Sequence, residues 1–395
     1  MEHLEEDSYL EQLDAFLSRP NQVWLLGAGA SLDAGLPLMG PLTNFVLERL
    51  EGSDSEPLIS AIWNDLIESA HIEHLLSHLG DYYALAERAK SKTVTIDGET
   101  YDLESMMKAH AEVLNHITHA IHWGYKYDRE TETGEVGNPL NSIVDIEPHR
   151  KFVRALLGTR RSGMENRRPP VRFFTTNYDT LLEDSLALER HTCWDGFSGG
   201  AIAYRSHRYG ADEPGFSQRY DAHVMKLHGS IDWHLDDDGY LIRVRLGDKY
   251  PGNAKRVMIY PQATKYVATQ RDPFSAQFDL LRRSLSNNGG NVFAICGYSF
   301  GDEHINHEIE LSMESPGNDT TILAFVMETD RGLPEALDIW LKERWGKRVF
   351  VMTQKGLYNG KIGPICQPEE GSERSWWTFA GVTNLLENGP GGAAK

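Results

Sequence analysis

Val23-Trp24-Leu25-Leu26-Gly27-Ala28-Gly29-Ala30-Ser31, running on into Leu32-Asp33-Ala34-Gly35-Leu36-Pro37, is the stretch whose reading decides the fold. An apolar run of strand length ends in two glycines, and helical spacing resumes shortly after, from Pro41 to Leu50 through Leu42, Phe45 and Val46. That is the grammar of the first strand–turn–helix unit of a nucleotide-binding sheet. Glycine at 27 and 29 lets the backbone turn tightly and approach a pyrophosphate, whose charge is favoured by backbone N–H groups at a helix start. The third glycine, Gly35, comes later than in G-x-G-x-x-G, and Ser31 lies inside the loop. A tight turn that binds nothing is the plain alternative.

Working outward, the same pattern recurs. Val171–Thr175 is a short apolar run that leads into Thr176-Asn177-Tyr178-Asp179. Ala222–Leu227 leads into His228-Gly229-Ser230, Arg256–Tyr260 into Pro261-Gln262, and Val292–Cys296 into Gly297-Tyr298-Ser299. Thr321–Met327 and Arg348–Met352 complete six or seven strands with helical spacing between them. The expectation is an α/β fold: a doubly wound, mostly parallel Rossmann-like sheet with a helical cap insertion. Polar residues at strand ends matter in such a sheet, because ligands bind beyond the carboxyl ends of the strands. The boundaries expected are 1–51 for the start of the Rossmann-like domain and 52–165 for the helical insertion. The domain then resumes over 166–355, with a small insertion near 190–250, and 356–395 forms a C-terminal extension and tail. Within the insertion, Ile59, Ile62 and Leu66, then Ile72, Leu75 and Leu79, then Val113, Ile117 and Ile121 recur at helical spacing. A polar hairpin is expected at Thr93–Tyr101 around Asp97-Gly98, a helix over 8–18, another from Pro148 to Leu157, and disorder from Glu387 onward.

Composition narrows the function. A chain of 395 residues, 40% of them apolar and nine of them tryptophan, buries a substantial core. A formal net charge of -19 gives no general attraction to nucleic acid or acidic membranes, so neither partner is expected. The three cysteines, Cys193, Cys296 and Cys366, form no C-x-x-C pair, so neither a disulfide framework nor a structural zinc is indicated. The acidic start and the lack of any long apolar stretch point to a cytoplasmic protein. His71, His74 and His78, and likewise His116, His119 and His122, share helical faces without an H-E-x-x-H motif, and read as solvated polar faces rather than as metal ligands. Arg160, Arg161, Arg167, Arg168 and Arg172 form a basic loop, either a solvated linker or a contact for phosphate or an acidic partner.

Four strand ends carry a resemblance. G-A-G-A-S…A-G-L-P at Gly27–Pro37, T-N-Y-D at Thr176–Asp179, L-H-G at Leu227–Gly229 and G-Y-S at Gly297–Ser299 occur in the order seen in sirtuins. The departures are as informative. Sirtuin deacylases carry two C-x-x-C pairs for zinc, and this chain has none. Where they read Gly-Ile-Pro then Phe-Arg, this chain has Leu36-Pro37-Leu38-Met39-Gly40, and where they read T-Q-N-I-D it has Thr175-Thr176-Asn177-Tyr178-Asp179. The chain more closely resembles the bacterial sirtuin-like NADases of anti-phage defence, which lack the zinc module, have a helical cap and hydrolyse NAD. Little length remains for a fused sensor domain, so the resemblance implies the stand-alone type, which forms homo-oligomers and pairs with a HerA-like ATPase.

The chemistry asks for particular residues. Cleaving the nicotinamide–ribose bond of NAD develops positive charge on the ribose, and the leaving group departs neutral and needs no acid. His228 is the candidate base toward a ribose hydroxyl or the attacking water. Asn177 is the candidate for orienting that water and the ribose, and Asp179 for holding the carboxamide or stabilising developing charge. Gly27, Ala28, Gly29 and Ser31 would cradle the pyrophosphate. Gly35, Thr176, Gly297 and Ser299 complete the NAD-binding set, Ser299 toward a phosphate or the adenine-side ribose. Each has a plainer reading: a loop-capping histidine, a turn asparagine, a helix-capping aspartate. Two other functions compete, a sirtuin-type protein deacylase and a non-catalytic module that binds NAD or ADP-ribose.

Overall fold

The computed structural model describes residues 2–128, 133–160, 169–206, 220–245, 255–258, 273–286 and 289–390. The chain divides into two compact units: Met1–Ala34 with Asp145–Lys255 and Arg271–Lys395, and Gly35–Val144 with Arg256–Gln270.

The first unit is built on a nine-stranded sheet. Its strands in chain order are β1 (Gln22–Leu26), β2 (Val171–Thr175), β3 (Cys193–Trp194), β4 (Ala222–Lys226), β5 (Val292–Cys296), β6 (Thr321–Phe325), β7 (Val349–Thr353), β8 (Gly356–Asn359) and β9 (Ile362–Ile365). Their order across the sheet is β9-β8-β7-β6-β5-β1-β2-β4-β3. Pairing is parallel from β7 through β3 and antiparallel only for β7–β8 and β8–β9.

Continuous apolar runs form these strands because both sheet faces are covered. Trp24, Leu26, Phe173, Val224, Ala294 and Leu323 point to one face, where Leu13, Phe152, Leu182, Leu186, Phe379 and Leu385 meet them from helices. Val23, Leu25, Phe174, Met225, Phe293 and Ile295 alternate to the other, against Phe278, Leu281, Ile305, Ile309 and Trp340. Period-two alternation against two helical layers makes the sheet doubly wound.

Several elements differ from the sequence reading. Lys255–Met258 is a strand, but it lies outside the nine-stranded sheet, and residues 259 and 260 lie outside the described residues. The two-residue edge strand β3 and the β8–β9 hairpin extend the sheet beyond the expected strands. Edge pairing needs no long apolar run, so neither stood out in the sequence. Within 190–250, Phe197–Gly199, Ile202–Arg205, Gly229–Leu235 and Leu241–Val244 form a small antiparallel sheet. The disorder expected from Glu387 is corrected at its start, because Glu387 and Asn388 end the helix Phe379–Asn388. Thr378 caps that helix through the Gly381 N–H, and Gly389 leaves it at φ +73°. Residues 391–395 lie outside the described residues. The helix expected from Pro148 runs as Glu147–Val153 and continues as a wider turn over Arg154–Thr159, within the first unit.

The second unit is mainly helical: Met39–Leu50, Glu56–Asn64, Ile72–Arg88 and Leu103–Trp123. Leu42, Phe45, Ile62, Leu75, Leu79, Val113 and Ile117 are buried along their apolar stripes. Two hairpins accompany them, Thr93–Ile96 with Glu99–Asp102 and Tyr125–Asp128 with Thr133–Val136. The first turns on Asp97 at φ 48° and Gly98 at φ 83°, the two positive values that a tight two-residue hairpin turn needs.

Candidate functional site

The sheet reverses its winding between β1 and β5. From β1 the chain moves to β2, then out to the edge strand β3 and back to β4 between them. It then returns to β5 on the opposite side of β1 and moves away through β6 and β7. The crevice at the carboxyl ends of β1 and β5 is where an open α/β sheet binds ligands. Here the two turns interlock. The Gly27 N–H donates to the Cys296 carbonyl at 3.0 Å, and the Gly29 N–H to the Gly297 carbonyl at 2.9 Å. A Cβ on Gly27 would lie 2.5 Å from the Gly297 oxygen, and one on Gly297 (φ +67°) 2.2 Å from the Ala30 nitrogen. Close approach of two backbones therefore requires glycine at these positions, whether or not a phosphate is present. The helical segment that follows is a single short turn, Ala28–Ser31, with Ala28 exposed.

Ser31 begins a polar cluster under this crevice. Its hydroxyl donates to Asp179 Oδ2 at 2.8 Å and accepts from Asn177 Nδ2 at 3.0 Å. Asn177 Nδ2 also donates to the Gly27 carbonyl at 3.0 Å, and its backbone N–H to Thr175 Oγ1 at 3.0 Å. Both amide hydrogens are thus engaged, while Asn177 Oδ1 is buried with no hydrogen-bond partner. Asp179 Oδ1 accepts the Leu181 N–H at 3.0 Å, at the start of the helix Leu181–Leu188, so both carboxylate oxygens are held. His149, 2% exposed, brings Nε2 to 3.5 Å from Ser31 Oγ. Burial pushes its pKa down against the pull of Asp179 and Asp33, which keeps the ring neutral.

His228 follows β4 by two residues. The Leu227 N–H donates to the Thr175 carbonyl at 2.8 Å and the Ile231 N–H to the Tyr178 carbonyl at 3.0 Å, which ties this turn to the one carrying Asn177. The imidazole Nε2 lies 3.1 Å from Asp302 Oδ2, with both side chains about nine-tenths buried, at 10% and 9% exposure. β4 and β5 stand three strand positions apart, about 14 Å. The loop from Gly297 to Asp302 therefore reaches across the ends of β1 and β2 to meet His228. Tyr298 fixes that loop through its hydroxyl, whose one proton is shared between the Asp302 carbonyl and Asn306 Oδ1, both at 3.1 Å. Asp302 Oδ1 caps the helix Glu303–Glu314 through the His304 N–H at 3.2 Å. Glycine turn, Asn177 loop, His228 turn and Asp302 loop thus close a ring of contacts around the carboxyl edge of β5, β1, β2 and β4.

The remaining sequence candidates are placed less centrally. Thr176 donates its N–H to the Leu26 carbonyl at 3.1 Å and bridges β1 and β2. Ser299 is exposed, and its hydroxyl accepts the Gly301 N–H at 3.3 Å, a local turn contact. Gly35 belongs to the second unit, where its carbonyl accepts the Tyr125 N–H at 2.8 Å and a Cβ would lie 3.0 Å from the Ile143 oxygen. Arg160 is spent structurally, on Asp14 Oδ1 at 2.6 Å and the Leu385 carbonyl at 2.5 Å. Arg161, Arg167 and Arg168 lie outside the described residues.

Among the described residues no group of three or more His, Cys, Asp or Glu side chains is arranged to hold a metal ion. The His71 N–H instead donates to His74 Nδ1 at 3.2 Å. Burial pushes the Cys296 thiol up to about 12, so it is a poor nucleophile at neutral pH. No described helix is long and apolar enough to cross a membrane.

Sequence reasoning missed Asp302 and His149. Asp302 carried a signal, an aspartate just before a helical run and after a glycine-rich strand end. His149 carried none, since a lone histidine near a helix start looks like any other.

With this geometry in view, the comparisons with known proteins add one family. Residues 171–348, just under half of the chain, match the SIR2-like domain. The matched region takes in β2 to β6 and with them Asn177, Asp179, His228 and Asp302. It supports a sirtuin-like relationship and NAD-dependent chemistry. No curated protein matches the chain.

Proposed function

We propose that the chain is an NAD glycohydrolase that splits NAD into nicotinamide and ADP-ribose. The observation that carries the reading is the ring of four turns, which joins the Asn177 loop to the His228 turn and in which Asn177 Oδ1 is buried with no hydrogen-bond partner. A buried acceptor without a partner is costly, and a ligand N–H or O–H, or a held water, relieves the cost. The carboxamide, the ribose hydroxyls and the attacking water of NAD hydrolysis all bring such a hydrogen.

The residues divide the work as follows. The Asp302 carboxylate can only accept, so His228 donates to it from Nε2 and is held there as the proposed base toward the water or a ribose hydroxyl. Asn177 orients the nucleophile or the ribose with an oxygen whose direction is fixed by the two bonds on its amide nitrogen. Asp179 lends negative charge near the developing cation, but with both oxygens held it acts chiefly by positioning Ser31 and, through it, Asn177. The interlocked glycines hold the turn in place, but the Gly27 and Gly29 N–H groups are spent on the Cys296 and Gly297 carbonyls, so a pyrophosphate at this turn would need donors other than these two.

The test is product analysis of NAD incubated with the purified chain, alone and with a HerA-like ATPase, alongside an acyl-lysine peptide. Nicotinamide and ADP-ribose without acyl transfer support the reading, and acyl transfer at a comparable rate would replace it with a deacylase. Asn177→Ala and His228→Ala are each expected to lower nicotinamide release at least ~100-fold with the fold retained. Bound NAD with no turnover under any of these conditions would leave a binding module instead. Our reading extends to a cytoplasmic homo-oligomer in anti-phage defence that is activated by assembly with the ATPase, for which co-purification and NAD loss on infection are the measurements.

A further inference from the structure

Lys226 ends β4, two residues before His228, and is 3% exposed. An ammonium has three hydrogens to place and no lone pair. Here they go to the Asn177 carbonyl at 3.3 Å, to the Asp179 carbonyl and toward Glu183 Oε1 at 3.5 Å. The carbonyl between the first two, that of Tyr178, accepts the Ile231 N–H at 3.0 Å and the Ser230 hydroxyl at 3.2 Å. Three consecutive carbonyls of the Asn177–Asp179 loop are therefore held from one short stretch of chain, residues 226–231. The Asn177 and Asp179 side chains meet Ser31 at the glycine turn, and the carbonyls of the same two residues face Lys226.

A buried ammonium survives only with compensation, and Glu183 supplies the charge. Glu183 is itself buried, in the first turn of the helix Leu181–Leu188, and its Oε2 has no hydrogen-bond partner. Burial raises its pKa against the opposing pull of Lys226 and Arg245. A pair kept only for charge balance would not need its cation aimed at two loop carbonyls.

We infer that Lys226 is a positioning residue for the candidate site: its ammonium clamps the backbone at Asn177 and Asp179 and so sets the direction of their side chains. The activity arm of this inference rests on the NAD-cleaving function proposed above, and the structural arm does not.

The test removes both charges together, in Lys226→Met combined with Glu183→Gln, so that no uncompensated ion is left inside. We expect a folded protein by circular dichroism. Amide hydrogen exchange of the 176–180 segment should be faster by about 10-fold or more, with the strands β1 and β5 unchanged. Nicotinamide release should fall about 100-fold in kcat, with KM within about threefold, the pattern of a misaimed site that still binds. Wild-type exchange and wild-type kcat in this folded variant would reduce Lys226 to a charge partner and overturn the inference.

Where the double variant does not fold, Lys226→Arg serves instead. It keeps the charge beside Glu183, but its planar fork cannot serve the same three acceptors. Faster exchange in the loop of that variant supports the clamp, and unchanged exchange overturns it. If the wild-type protein releases no nicotinamide, the proposed function falls while hydrogen exchange still decides the clamp.

Discussion

Replacing Asp302 by asparagine isolates one interaction. Asp302 does two things: Oδ2 holds His228 Nε2 at 3.1 Å, and Oδ1 caps the helix Glu303–Glu314. Asparagine caps a helix about as well as aspartate, so the second role survives. The first weakens, because an amide oxygen carries no charge. A hydrogen bond to a charged group contributes about 1.5–3 kcal/mol and a neutral one about 0.5–1.5 kcal/mol. The difference, about 1–2 kcal/mol, is retained nearly in full at a pair about nine-tenths buried, where solvent screens little. At about 1.4 kcal/mol per factor of ten, kcat for nicotinamide release should fall about 5–30-fold. KM should hold, because the imidazole is still present and the crevice is unchanged. Asp302→Ala loses the whole bond, about 10–150-fold in kcat. It also loses the cap, which costs about 1 kcal/mol of stability. The assay is chromatographic quantitation of nicotinamide over a range of NAD concentrations, paired with denaturant unfolding. Asp302→Asn at wild-type kcat, or a loss confined to KM, would refute the view that this carboxylate sets the tautomer and direction of His228.

Three further outcomes are expected. Gly297→Ala should destabilise the protein by about 2–5 kcal/mol, from a positive φ and a Cβ 2.2 Å from the Ala30 nitrogen, read as a lower urea midpoint. A loss below about 1 kcal/mol would mean that the two turns separate easily. Ser31→Ala should leave Asp179 Oδ2 without its donor and Asn177 Nδ2 with one acceptor fewer, at about 1–3 kcal/mol of stability. Its kcat should fall with Asn177 no longer fixed, and equal kcat in the variant would sink the positioning role. His223, whose ring lies 5.2 Å from that of Trp194, is pushed down to about 4 by burial and then by Arg172. The unfolded chain therefore binds the extra proton first, so stability is full above about pH 6.5 and is lost as pH falls toward 4, by at most about 3 kcal/mol. In His223→Phe that part of the acid slope should vanish in unfolding curves taken between those values, and an unchanged slope would assign it elsewhere.

The parallel sheet was legible because each buried strand is an apolar run ending in glycine or polar residues. Val23–Leu26, Val171–Thr175 and Val292–Cys296 announce themselves in this way. The edge elements were not, since Cys193–Trp194 is two residues long and Gly356–Ile365 has no run that distinguishes it from a loop. Arg256–Tyr260 shows the opposite error: an apolar center between polar flanks reads as a sheet strand, but nothing local says to which sheet it belongs. At the site, Asn177, Asp179 and His228 were visible from their place at strand ends. Their partners were not, because a pairing between His228 and a residue 74 positions later is fixed by strand order, which pattern alone does not supply. Lys226 looked like the polar end of a strand, and its burial depends on Glu183 arriving from a different element.

The glycines make the same distinction at closer range. Read from sequence, Gly27 and Gly29 are small so that a phosphate can approach. In the structure a second backbone approaches first, and Gly297 is small for the same reason. The two accounts converge when the geometry is followed further. Interlocking fixes the glycine turn against the loop that carries Asp302, and Asp302 fixes His228, while Gly27 through its carbonyl fixes the Asn177 amide. A shift at the turn would therefore move the imidazole and the amide together. Groups held this way reorganise little when charge develops between them, which is the condition under which fixed dipoles lower a barrier most. The tightness that leaves no room for a Cβ at Gly297 is thus the same tightness that aims the candidate site.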